Sequence, residues 1–335
     1  WIDFNGDLDF DTGEYVTTTD IPDGTTNGTK TLTWGTVPSD IIAGTTYARF
    51  RISTDAIANI DVGGSKTNGE VEDYTLSITQ SYDFGDAPDT YGTNLADGGE
   101  GVGASHSISL ASNNALTNLR LGAAVTDAET DGQPTANAEG DDTSGTDDET
   151  GVASFTSMLA SATSYSLTNV NATNNTGNPG NLRGWIDFDN SGTFDDDEVS
   201  GVTVVATGTT GVDQTLSWSS IPTDTKAQTA AKVRIRFTTD SLAAVTDDIG
   251  PKTNGEVEDY DDLTIIGTDF GDAANTYLTS KASGGASHQI SANIKLGTVG
   301  PDSETDGQPT ANADGDDSTA GIGIDDEDGV ATFAS

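Results

Sequence analysis

Hydrophobic and polar residues alternate along short runs of this 335-residue chain. Ala48-Arg-Phe-Arg-Ile-Ser and Val233-Arg-Ile-Arg-Phe-Thr each put two arginines on one side and apolar residues on the other. That period of two marks a strand with two unlike faces. Thr31-Leu-Thr-Trp, Thr215-Leu-Ser-Trp and Glu70-Val-Glu-Asp-Tyr-Thr-Leu-Ser-Ile alternate likewise. Clusters of Gly, Asn, Asp and Thr-Gly break the runs every ~8–12 residues, and no amphipathic helical stretch occurs. The pattern predicts an all-β chain of tandem antiparallel β-sandwiches fed by loop-rich, Asp-dense segments.

The runs recur. Trp1-Ile-Asp-Phe returns at Trp185, residues 66–74 return at 252–260, and Asp83-Phe-Gly-Asp-Ala returns at Asp269. Thr130-Asp-Gly-Gln-Pro returns at Thr305. The spacing drifts by a few residues around 185, as loop insertions produce, so one unit is about 185 residues. The expected organisation is the later part of a sandwich over 1–80 and a loop-rich segment over 81–150. A complete sandwich follows over 151–267, then a second loop-rich segment over 268–335 that ends in the first strand of a further sandwich. Two arrangements stay open. One is a window of a longer array. The other is a protomer whose residues 329–335 add a strand to a neighbour's sheet. The expected partners are therefore neighbouring copies or adjacent repeats of the same chain.

Charge narrows the function. There are 55 acidic residues against 13 basic ones, for a formal net charge of -42. The acids are 43 Asp and 12 Glu, a bias that suits turns and oxygen-ligand loops more than solvated helices. Phosphate backbones and anionic membranes repel such a chain, which argues against nucleic-acid partners. No run approaches the ~20 apolar residues of a membrane helix. With no cysteine there is no disulfide, thiol nucleophile or thiolate zinc site. The two histidines, His106 and His288, both lie in Gly-Ala-Ser-His and are expected to be satisfied loop residues. One histidine per unit and no cysteine argue against an enzyme. Four of the six arginines (Arg49, Arg51, Arg234 and Arg236) sit in one strand type and are expected to pair with Glu70, Glu72, Glu256 and Glu258. Lys66 and Lys252 are each expected in a salt bridge.

The acids gather in patterns with metal chemistry. Residues 187–198 fit the twelve-residue calcium loop. Asp187, Asp189, Ser191, Asp195 and Glu198 stand at positions 1, 3, 5, 9 and 12, Gly192 stands at 6, and Thr193 supplies its carbonyl at 7. The other copy places Asp3, Asn5, Asp7, Asp9, Asp11 and Glu14 at positions 1, 3, 5, 7, 9 and 12. Its glycine, Gly6, is at position four, so a different turn is expected. A second cluster is Asp141, Asp142, Asp147, Asp148 and Glu149, mirrored by Asp316, Asp317, Asp325, Asp326 and Glu327. Packing such carboxylates together is costly unless a cation or water neutralises them. Asp127, Glu129 and Asp131 (mirrored by Asp302, Glu304 and Asp306) form a third group. Asp83 and Asp86, with Asp269 and Asp272, form a fourth. Ca2+ is the cofactor expected.

Gly69-Glu-Val-Glu-Asp-Tyr74 and Gly255-Glu-Val-Glu-Asp-Tyr260 resemble the signature of the GEVED domain. Trp1-Ile-Asp-Phe-Asn-Gly-Asp and Gly184-Trp-Ile-Asp-Phe-Asp-Asn-Ser-Gly resemble its upstream motif. Asp83-Phe-Gly-Asp-Ala-Pro-Asp-Thr-Tyr91 resembles the segment that introduces such modules. The resemblance implies a β-sandwich in a large bacterial secreted or cell-surface protein, with no assigned catalysis. The expected function is a structural repeat region of an extracellular stalk or filament that calcium rigidifies. The alternative is a calcium-dependent adhesin module binding surface glycans through Trp1, Trp34, Trp185 or Trp218.

Overall fold

The computed structural model describes residues 1–335 except 19–20, 36–40, 42, 80, 96–102, 109–117, 127, 141–147, 292, 316–325, 327 and 331–335. The regular structure described is strand, with short 3-10 turns, and among the described residues no helix is long and apolar enough to cross a membrane. The first sandwich contributes β1 (Gly44–Ile52) and β2 (Glu70–Ile78). The segment that follows contributes β3 (Ser81–Phe84), β4 (Ser105–Ile108) and β5 (Leu119–Leu121). The complete sandwich runs through β6 (Met158–Leu159), β7 (Tyr165–Asn174), β8 (Gly180–Ile186), β9 (Thr203–Val205) and β10 (Thr209–Trp218). It continues through β11 (Gln228–Thr238), β12 (Pro251–Lys252) and β13 (Glu256–Ile266). The last segment holds β14 (Thr268–Phe270) and β15 (Ser287–Gln289).

Two sheets enclose the core of the complete sandwich. One has the order β6-β13-β11-β8-β9 and the other β10-β7-β5. Val233, Ile235 and Phe237 point inward from β11 and are fully buried, meeting Leu182, Ile186, Leu216 and Trp218. Alternation therefore sets the inner face as expected. Strand β5 lies within the segment expected to be loop-rich, yet it pairs antiparallel with β7 and buries Leu119 and Leu121 in the same core. The sandwich is thus completed by residues that precede it in the sequence.

The outer face of β11 and β13 is covered too. Arg234 and Arg236 point away from the core, and both are fully buried. Their cover is the turn-rich stretch that carries β3 and β4. The antiparallel pair β1–β2 repeats the register of β11–β13: Arg49 stands opposite Asp73 as Arg234 stands opposite Asp259. On β1–β2, however, Val71 on the arginine face is exposed, and so are Phe50 and Tyr74 on the opposite face.

A metal-type loop locked to a buried polar network

The loop after β8 is built by its own carboxylates. Asp187 Oδ1 accepts the Ser191 amide at 3.1 Å and Oδ2 accepts the Gly192 amide at 3.0 Å. Glu198 reaches back across the loop, where Oε1 accepts the Phe188 amide at 2.6 Å and Oε2 the Asp195 amide at 2.9 Å. Oxygens of Asp187, Asp189 and Glu198 all lie within 4.8 Å of one another. Burial pushes the Glu198 carboxyl up to about 8, against the pull of the amides that bond it. Ser191 Oγ turns to the Thr193 carbonyl at 3.2 Å, and Asp195 stays outside the group of three. An all-oxygen set of this kind fits the chemistry of a hard divalent cation, and Asp187, Asp189 and Glu198 are the residues that could hold one.

The first loop takes the same backbone path. Positive φ falls at positions 4 and 6 in both copies: Gly6 at 68° and Leu8 at 73°, Asn190 at 55° and Gly192 at 90°. The displaced glycine therefore does not change the turn; Leu8 bears the left-handed conformation instead. Glu14 accepts the Phe4 and Asp11 amides just as Glu198 accepts those of Phe188 and Asp195. The carboxylates that gather here are Asp7, Asp9 and Asp11, all exposed, while Asp3 and Glu14 are buried by backbone bonding. Asn5 bonds Asp7 through its amide nitrogen.

Burial by residues 83–95 and 103–106 explains what the motif's acids do. Arg234 makes a two-pronged ion pair with Asp259, at 2.8 Å from Nε and 2.7 Å from Nη2, both side chains fully buried. Burial opposes the charge on Arg234, and Asp259 more than offsets it. Asp259 Oδ2 also accepts the Ala87 amide at 2.9 Å, and Arg234 donates to the Tyr91 carbonyl at 2.6 Å. A Cβ on Gly85 would stand 2.3 Å from Asp259 Oδ2, so only glycine lets the backbone approach this pair. Arg236 donates to the Ser105 carbonyl at 3.0 Å and to His106 Nε2 at 3.0 Å. Because an arginine only donates, His106 is neutral with its proton on Nδ1, which faces the Asn254 carbonyl at 2.7 Å. Burial, and then the Arg236 charge, hold the His106 pKa well below its ordinary value.

The arginines therefore pair with Asp73, Asp259 and His106 rather than with the glutamates. Register is the reason: Glu258 stands opposite Ile235 and Glu256 opposite Phe237, which puts both on the inner face. There Glu256 Oε1 accepts the Thr126 hydroxyl at 2.8 Å, and Glu258 accepts the Gly151 amide at 2.9 Å and the Tyr260 hydroxyl at 2.7 Å. Lys66 and Lys252 make the expected salt bridges, with Asp61 at 2.9 Å and Asp247 at 2.6 Å.

The remaining acid groups converge. Asp83 from the fourth group is fully buried on the Val257 amide, which it accepts at 2.6 Å. Burial, then the charges of Glu256, Asp148 and Glu129, push it well above the carboxylate range. The last segment repeats this: burial and then Asp302 push Glu304 up to about 9, and burial and then Asp326 raise Asp269. Asp86 and Asp272 instead accept the Gly140 and Gly315 amides. Asp131 and Asp306 cap the Leu95 and Lys281 amides at exposed turns. Asp127, Asp141, Asp142, Asp147, Asp316, Asp317, Asp325 and Glu327 lie outside the described residues. Glu149 and Asp326 are described, and neither joins a three-carboxylate group like those of the two loops among the described residues.

Two residues have roles here that the sequence pattern does not show. Tyr91 donates its hydroxyl to Asp187 Oδ2 at 2.5 Å and sets its ring 4.8 Å from that of Phe194. It thereby joins the introducing segment to the metal-type loop. His106, expected in a loop, is a buried strand residue of β4. Both recur in the last segment, as Tyr277 and His288, and that repetition was the available signal. Trp185 and Trp218 are fully buried and bond the Val245 and Glu198 carbonyls, so they form core, not a sugar platform.

No curated protein and no solved structure matches the chain. The family model of the GEVED domain matches twice, over residues 1–77 and 181–261. Each match spans a metal-type loop, the arginine strand and the Glu-Val-Glu-Asp-Tyr strand in the same order. The chain thus contains two GEVED domains in tandem, over residues 1–77 and 181–261.

Proposed function

We propose that the chain is a structural repeat region of an extracellular surface protein, a stalk or filament, that calcium rigidifies. The observation that supports this is the Tyr91–Asp187 bond, through which the metal-type loop grips the introducing segment. Asp187, Asp189 and Glu198 would hold the cation, which supplies the positive charge that three converging carboxylates lack. The loop's backbone amides, the Tyr91 hydroxyl and the Phe194 ring keep those carboxylates in place. A cation that binds the folded unit and not the unfolded chain stabilises it by mass action. Bracing one segment against the next sandwich in every unit stiffens a tandem array.

Small-angle X-ray scattering of residues 1–335 in millimolar calcium and in excess chelator tests this. A shorter maximum dimension and a more flexible profile in chelator are expected. Superimposable profiles, with chelation confirmed by metal analysis, would exclude rigidification by calcium.

A further inference from the structure

The two sides of the Ile266–Gly267 peptide belong to different sheets. The Ile266 carbonyl accepts the Ala160 amide at 2.8 Å, where β6 runs parallel to the end of β13 in the sandwich. The Gly267 carbonyl accepts the Ile290 amide at 3.0 Å, beside the β14–β15 pair of the segment that follows. No residue is left between them as a free linker. We propose that this junction is a rigid joint, in which the turn of residues 158–162 in one unit docks the introducing segment of the next, and that the joint needs no bound ion. It goes beyond the calcium reading and does not rest on it.

Domains are ordinarily joined by exposed, flexible linkers that few contacts cross. Here a planar peptide leaves only two backbone rotations between the bodies, ψ of Ile266 and φ of Gly267. Side chains resist both. Thr268 is 2% exposed, and its hydroxyl lies 2.9 Å from that of Ser161 across the joint. Met158 and Ala160 belong to the sandwich core, so the turn that receives Thr268 is itself fixed. On the segment side, a Cβ on Gly267 would stand 2.8 Å from Ile290 Cδ1 and 2.9 Å from Ser303 Cβ. The Thr268 carbonyl accepts the Glu304 amide at 2.8 Å. These contacts are made by hydroxyls, backbone and hydrocarbon, and none uses a carboxylate.

The arrangement recurs one repeat earlier. β2 ends at Ile78 and β3 begins at Ser81, which stands opposite Ile108. The Tyr82 carbonyl accepts the Glu129 amide at 2.8 Å, as the Thr268 carbonyl accepts that of Glu304. Two unlike contacts therefore alternate along the chain. A segment is held to the sandwich before it by an uncharged joint, and to the sandwich after it by the contact of Tyr91 with the metal-type loop. Loss of an ion from that loop loosens only the second kind. Each sandwich and the segment after it then move as one body.

The chain has no cysteine, so paired nitroxide labels can be placed by substitution in residues 1–335. Val204→Cys with Tyr277→Cys spans the joint, and Val204→Cys with Leu95→Cys spans the segment and sandwich of one unit. All three positions are exposed. Double electron–electron resonance reads the width of each distance distribution in calcium and in chelator. Across the joint, a narrow distribution in both solutions is expected. Inserting Gly-Gly-Ser between Ile266 and Gly267 should broaden it by about 10 Å, the reach of a short flexible linker. A distribution across the joint that is broad in calcium, or that broadens in chelator, overturns the proposal. So does a width that the insertion leaves unchanged. The pair at positions 95 and 204 reports on the calcium reading alone: no change there on chelation counts against that reading and leaves the joint standing.

Discussion

The Tyr91 hydroxyl donates to Asp187 Oδ2 at 2.5 Å, tying together residues 96 positions apart. Burial, then the hydrogen bond to Asp187 and its charge, push the phenol above its ordinary value. The Ser191 and Gly192 amides hold the same carboxylate. Tyr91→Phe keeps the ring on Phe194 and removes only this bond. Its unfolding free energy in chelator should fall by about 1–2 kcal/mol, the scale of a hydrogen bond to a charged group with other donors remaining. Urea unfolding of the variant measures it; an unchanged midpoint would show that the bond holds nothing.

The two copies of the arginine–aspartate pair should differ in worth. Arg234 and Asp259 are both fully buried, and removing one partner strands the other. Asp259→Ala should cost about 3–5 kcal/mol of stability. Arg49 and Asp73 keep the same geometry with half of the Asp73 side chain in solvent. In dilute protein Asp73→Ala should cost about 0–1 kcal/mol. Equal losses in parallel urea titrations would mean that cover by residues 83–95 and 103–106 does not set the strength of the pair.

That cover is what the sequence concealed. The β period, the repeat, both metal-type loops and the Glu-Val-Glu-Asp-Tyr strands were legible, because each is written in neighbouring residues. Alternation places Arg234 and Arg236 on an outward face, and outward ordinarily means wet. Only a contact with Tyr91, Thr93, Ser105 and His106, more than 120 residues away, makes that face dry. Leu119-Arg-Leu121 is too short for its period to show, yet it completes a sheet. An acid-rich surface makes nearby glutamates the expected partners of the arginines, whereas cross-strand register sends those glutamates to the opposite face.

Two buried groups give opposite pH dependence. Burial, partly countered by the Tyr260 and Gly151 bonds, pushes Glu258 up to about 8 from an ordinary 4.5. The folded state therefore holds this proton more tightly, and its contribution is complete below about 4.5 and lost as pH rises through 8. Glu258→Gln in chelator should flatten that alkaline fall in melting temperature. A slope identical to that of the unaltered protein would place the titration elsewhere.

His106 acts at the acid end. Its depressed pKa means that the unfolded chain takes up the proton first, at about 6.5. Stability from neutral His106 is present above that value and is lost as pH falls below it. His106→Gln should remove this loss between pH 7 and 5, a difference that thermal melts at half-unit steps resolve. An acid fall of the same size in the variant would clear His106 of the role.

The central claim is that calcium belongs to the folded unit. Differential scanning calorimetry of residues 1–335 in millimolar calcium and in excess chelator, with Asp187→Asn alongside, tests it most directly. The account predicts a melting temperature that rises with calcium concentration in the unaltered protein, by RT ln(1 + [L]/Kd) in free energy. It predicts a smaller rise in the variant, because the acid loop of residues 3–14 remains. Superimposable traces with and without calcium would contradict it.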